Sequence, residues 1–121
     1  MSQAPTADAA GNMLDQRLVA IERELTAAAG GVSLCAISRS AGSVPAAKYL
    51  EGRMAAIREL RRALAAGRPF VEVVDERRDA WRSAFEHAVE RSMGPDWHAY
   101  RAGGVDELDS LAAAASADPK V

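Results

Sequence analysis

The chain is short of nearly every residue type on which reaction chemistry is built. Among 121 residues there is one cysteine and there are two histidines. Cys35 has no second cysteine to bridge to. Within the run Val-Ser-Leu-Cys-Ala-Ile it reads as a buried, inert thiol, with Arg39 the sole nearby cation. A reducing, cytoplasmic setting is the default expectation. His87 and His98 lie on opposite sides of Gly94-Pro95. His87 and Glu90 make one i, i+3 pair, whereas a di-iron bundle needs such a pair on each of two helices plus further carboxylates. His87 is better read as a boundary residue, and neither metal nor cofactor is expected.

Ser33, Ser38, Ser40 and Ser43 have no histidine close in sequence, so turn chemistry explains them. Gly30-Gly31 lacks the lysine and the strand-to-helix context of a phosphate loop. No catalytic residues emerge, and the chain is expected not to be an enzyme. No apolar run approaches the ~20 residues of a membrane span, and the uncharged start Met1 to Thr6 is not a signal peptide. A membrane partner is therefore not expected.

Aromatic residues make up only 5% of a chain that is 49% apolar. The core must be built from Leu, Ile, Val and Ala, which favours closely packed helices. Arginine outnumbers lysine thirteen to two, a bias that suits a bacterial, GC-rich coding genome as well as any nucleic-acid role. Net charge is −2, but residues 32–68 carry seven basic and two acidic side chains, so a basic middle is flanked by acidic segments.

That middle holds the clearest element. From Val44 to Gly67, Ala46, Leu50, Met54, Ile57, Leu60 and Leu64 fall in one sector at about 100° per residue. Ser43 is an N-cap, Pro45 sits in the first turn, and Gly67 followed by Pro69 ends the helix. A first helix is predicted over Asn12 to Ala29, with Leu14, Leu18, Ile21 and Leu25 as a coiled-coil-like seam and Gly30-Gly31 as its stop. A third runs from Phe70 to Ser92, with Phe70, Val73, Val74, Trp81, Ala84, Phe85 and Ala88 on one side and Met93-Gly94-Pro95 as its end. Beyond it, Asp96 caps a short helix, Trp97 to Ala102, closed by Gly103-Gly104, and a weak helix follows from Val105 to Ala115. Residues 32–43 show partial alternation and turn formers, so an extended segment or small hairpin is expected between the first two helices.

The predicted fold is mainly α: an antiparallel bundle of three long helices, that short extended segment, and one or two short C-terminal helices. Residues 1–10 and 116–121 are expected to be disordered tails around a single domain, 11–115. The order helix, glycine-flanked extended segment, helix, over about Asn12 to Gly67, is similar to small bacteriophage head-to-tail joining proteins. The similarity is one of arrangement and carries no functional residues, but it implies a structural role as a minor alternative.

Two arginines interrupt apolar stripes, Arg53 in the middle helix and Arg77 in the third. A buried unpaired charge costs several kcal/mol. Each must therefore find a carboxylate (Glu22 for Arg53, Asp106 or Glu107 for Arg77) or else face a partner chain. Trp97 and Tyr100 offer large apolar area with a polar handle, and Leu34 and Ile37 offer an apolar docking edge. These six are the candidate interaction residues. Arg58, Arg61 and Arg62 form a possible anion or nucleic-acid face, opposed by nearby Glu51 and Glu59 and by the lack of interleaved aromatics; salt bridges to the acidic third helix would also account for them. The expected function is protein–protein contact, as a homo-oligomer or a subunit of a larger assembly. The second expectation is a nucleic-acid-associated regulator.

Overall fold

The computed structural model describes residues 6–29 and 45–116, which form four helices and, among the described residues, no strand. They are α1 (Ala7–Ala29), α2 (Pro45–Ala65), α3 (Phe70–Glu90) and α4 (Pro95–Ser116). The predicted hairpin, Cys35, Leu34 and Ile37 lie outside the described residues.

α1 begins at Ala7 rather than Asn12, because Thr6 caps it: the Ala9 N–H donates to Thr6 Oγ1 at 3.1 Å. The extra turn buries Ala10 and carries the predicted seam back one step, to Ala10, Leu14, Leu18, Ile21 and Leu25. α2 lies within its predicted span, Val44 to Gly67, while Ser43 and Val44 fall outside the described residues. It ends with the Gly67 N–H bonded to Leu64 O at 2.9 Å and the Arg68 N–H to Ala63 O at 3.1 Å, Gly67 lying at φ +85°. α3 closes with the same pattern around Ser92, at φ +51°, where Met93 N–H reaches Ala88 O at 3.0 Å.

The last helix corrects the prediction. Gly103-Gly104 does not stop it; α4 runs unbroken for 22 residues. Glycine weakens a helix by about 1 kcal/mol relative to alanine, but here tertiary packing requires it. α2 and α4 cross backbone to backbone at Gly52 and Gly103. A Cβ on Gly52 would run into the Tyr100 carbonyl, a Cβ on Gly103 would run into the Tyr49 carbonyl, and one on Gly104 would strike the Trp81 ring. The glycines that read as a break are where α4 admits the backbone of α2 on Gly103 and the Trp81 ring of α3 on Gly104. The C-terminal pair of short helices is thus one long helix, and the long helices among the described residues number four rather than three.

Ion pairs Arg61–Asp15 and Arg53–Glu24 set α1 antiparallel to α2. Trp81 with Tyr100, Arg78 with Asp109, and His98 with Ala88 set α3 antiparallel to α4. The shared core joins the α1 seam to Met54, Ile57 and Leu60 of α2, Phe70, Val73, Val74 and Trp81 of α3, and Leu108 and Leu111 of α4. No helix among the described residues is long and apolar enough to cross a membrane.

Candidate protein-interaction site

The charges inside the apolar stripes pair within the chain, though not with the predicted partners. Arg53 Nε donates to Glu107 Oε1 at 2.9 Å and its Nη1 to Glu24 at 3.1 Å, while Glu22 takes no part. Arg17 Nε donates to the other Glu107 oxygen at 2.5 Å. Glu107, 1% exposed, is therefore a carboxylate shared between arginines of α1 and α2. Burial works against the Arg53 charge, but the hydrogen bond and field of Glu107 prevail and hold its guanidinium above the ordinary value. Arg77 pairs with Glu59 of α2 at 3.0 Å, not with Asp106 or Glu107, and the same Glu59 oxygen accepts the Trp81 indole N–H at 3.0 Å. Asp106 instead accepts from the Tyr49 hydroxyl at 2.6 Å. Burial and that bond push the Tyr49 pKa up to about 12. Among the described residues no buried side-chain nitrogen or oxygen lacks a partner.

The predicted basic face is split. Arg58, Arg61 and Arg62 wall a wide, open hollow of about 420 Å³ with Ala65. Arg61 is tied to Asp15 of α1 at 3.2 Å rather than to α3, while Arg58 and Arg62 meet no carboxylate among the described residues.

The first turns of α4 bring together the other predicted residues and two that the sequence reading missed. Tyr100 lies between the tryptophans, its ring centroid 5.4 Å from Trp81 (tilted) and 6.1 Å from Trp97 (edge-on). The Arg101 guanidinium sits over all three rings, 5.1 Å from Trp81, 5.5 Å from Tyr100 and 5.9 Å from Trp97. Trp81 anchors the group in the core, whereas Trp97 is 48% exposed. Beside them opens a hollow of about 430 Å³, lined among the described residues by Lys48, Asp96, Trp97, Tyr100 and Arg101. The signal for Arg101 was its i, i+4 spacing from Trp97, which stacks the two on one helix face. Lys48 gave no sequence signal, because it reaches the hollow from α2.

Among the described residues no group of three or more His, Cys, Asp or Glu side chains is placed to hold a metal ion. No protein-family model, curated protein or solved structure matches the chain.

Proposed function

We propose that the chain is a non-enzymatic helical protein that works by protein–protein contact, as an oligomer or assembly subunit, through the corner built by Trp97, Tyr100, Arg101 and Lys48. The observation that carries this reading is the half-exposed Trp97 in the wall of the hollow, braced by Tyr100 and Arg101. Trp, Tyr and Arg are the residues enriched at interface centres, where a rigid aromatic gives large contact area at small entropic cost.

The test is sedimentation at micromolar concentration together with affinity capture from source-cell extract, each run on the wild type and on Trp97→Ser. The reading expects an association, with self or with a captured protein, that the variant loses while keeping its helical spectrum. A wild type that is a strict monomer, and that captures nothing the variant fails to capture, overturns it.

A second reading, nucleic-acid contact, is favoured by Arg58 and Arg62 on the exposed face of α2, which meet no carboxylate among the described residues. It predicts salt-sensitive gel retardation that weakens when both become glutamine. No retardation at low salt removes it.

A further inference from the structure

Most charged side chains of the described residues are answered within the chain. Lys48 meets Glu51, Arg61 meets Asp15, Arg68 meets Glu72 and Glu76, and Arg82 meets Asp109. Two groups stand apart. Arg58 and Arg62, one turn from each other on the exposed face of α2, meet no carboxylate among the described residues. Asp79, Glu86 and Glu90 meet no cation among them, and they share one exposed stripe of α3, opposite the face that buries Val73, Val74, Trp81 and Ala88.

The fold keeps these two groups from answering each other inside one chain. α2 meets α3 where Glu59 accepts from Arg77 and from the Trp81 indole, each at 3.0 Å, so Arg58 lies level with that stretch. Glu86 and Glu90 stand about 8 and about 14 Å farther along α3 than Trp81, at 1.5 Å per residue. Arg62 lies the other way, toward the turn that joins the two helices.

Resting on the contact reading above, we infer that a second copy of the chain docks head to tail, its α3 stripe on the α2 face, with Glu86 and Glu90 on Arg58 and Arg62.

Charge and spacing select this occupant. Both pairs are i, i+4, so each presents two like charges about 6 Å apart along its helix. The arginines wall an open hollow of about 420 Å³ in which Ala65 is the one other lining residue described, and Val89, 49% exposed, brings apolar area beside the acids. Arg91 caps α3 beyond the end of the stripe. With Arg61 held by Asp15, the face offers two uncommitted cations, which two carboxylates balance one for one. A phosphate backbone is gripped by many cations at once and finds few here. The two faces differ, so the contact is heterologous and each added copy brings a further face of each kind.

The experiment is sedimentation equilibrium of the full chain at about 0.5 mM, in salt of about 20 mM and about 300 mM, because exposed ion pairs are individually weak and are screened by salt. The wild type is expected to associate at low salt and to do so about tenfold more weakly at high salt. Reversing either face, by Arg58→Glu with Arg62→Glu or by Glu86→Lys with Glu90→Lys, is expected to leave a monomer, and an equimolar mixture of the two reversed chains to associate again. All four positions are exposed, and an unchanged helical spectrum checks that both variants fold. A wild type that is monomeric at low salt overturns the inference. So does association that either reversal leaves intact, or a mixture that stays monomeric. Retardation of a nucleic acid by a chain that itself stays monomeric, lost with Arg58 and Arg62, overturns it in favour of that partner. Trp97→Ser is expected to leave this association in place. A monomeric chain that still captures a protein through Trp97 keeps the contact reading and removes the head-to-tail assignment alone.

Discussion

Arg53 and Glu107 lie 54 residues apart in the chain and meet at 2.9 Å inside the bundle, the arginine a quarter exposed and the carboxylate sealed at 1%. Arg17 takes the other carboxylate oxygen, so α1, α2 and α4 converge on one negative charge.

Replacing Glu107 by glutamine takes the shared anion from Arg17 and Arg53, and a loss of about 2–3 kcal/mol is expected; the partial exposure of both arginines, and the Glu24 contact that Arg53 keeps, hold the cost below that of a fully buried pair. Replacing all three with apolar side chains (Arg17→Met, Arg53→Met and Glu107→Leu together) is expected to recover most of that loss. Urea unfolding of the single and triple variants measures both.

The glycines divide by position. Gly52→Ala and Gly103→Ala each drive a methyl group into a facing backbone carbonyl, which no rotamer relieves. Each is expected to cost about 3 kcal/mol or more, overriding the ~1 kcal/mol that alanine gains in a helix. Gly11→Ala in α1 meets nothing within 4 Å and keeps that gain, so its melting temperature rises while the other two fall.

Ser92 holds a left-handed backbone, φ +51°, at the end of α3 without being glycine. Ser92→Gly removes the Cβ clash of that conformation and is expected to stabilise the fold by about 0.5–1 kcal/mol. Gly94→Ala, at φ +93°, is expected to destabilise it by about 1 kcal/mol or more. Thermal melts of the two variants should move in opposite directions.

The Tyr49 hydroxyl, bonded to Asp106, titrates in the fold at about 12 against an ordinary value of 10.0. Between those values the unfolded chain releases this proton while the folded one keeps it. Stability from this contact is complete below pH 10 and is lost as pH climbs toward 12. Tyr49→Phe is expected to flatten that alkaline decline and to remove the late component of tyrosinate absorbance.

Periodicity was a sound guide where one face of a helix meets one neighbour. The stripe from Met54 to Leu60 and the cluster Phe70, Val73, Val74 and Trp81 are buried as their spacing demands. It misled at Gly103-Gly104, because the reason for glycine there is the backbone of α2, which no local window contains. Reading α4 as broken also hid Glu107. Once the helix is continuous, Gly103, Gly104, Glu107, Leu108 and Leu111 share one stripe, and Glu107 is a charge inside it just as Arg53 is in α2. The choice of Glu24 over Glu22 followed from how α1 lies against α2, a rotation that sequence spacing does not contain. Arg101 carried its own signal in its spacing from Trp97, but only the fold shows its guanidinium over Trp81, a ring of α3 that no local window contains.

The shared carboxylate also sets an order of events during synthesis. Arg17 and Arg53 leave the ribosome 90 and 54 residues before the group that neutralises them. Helices α1 and α2 already share the pairs Arg61–Asp15 and Arg53–Glu24, while the carboxylate that joins Arg17 to Arg53 comes with α4. The long closures that join Glu107 to α1 and α2 cost chain entropy before they reward it, so the docking of α4 is expected to be slow relative to helix formation.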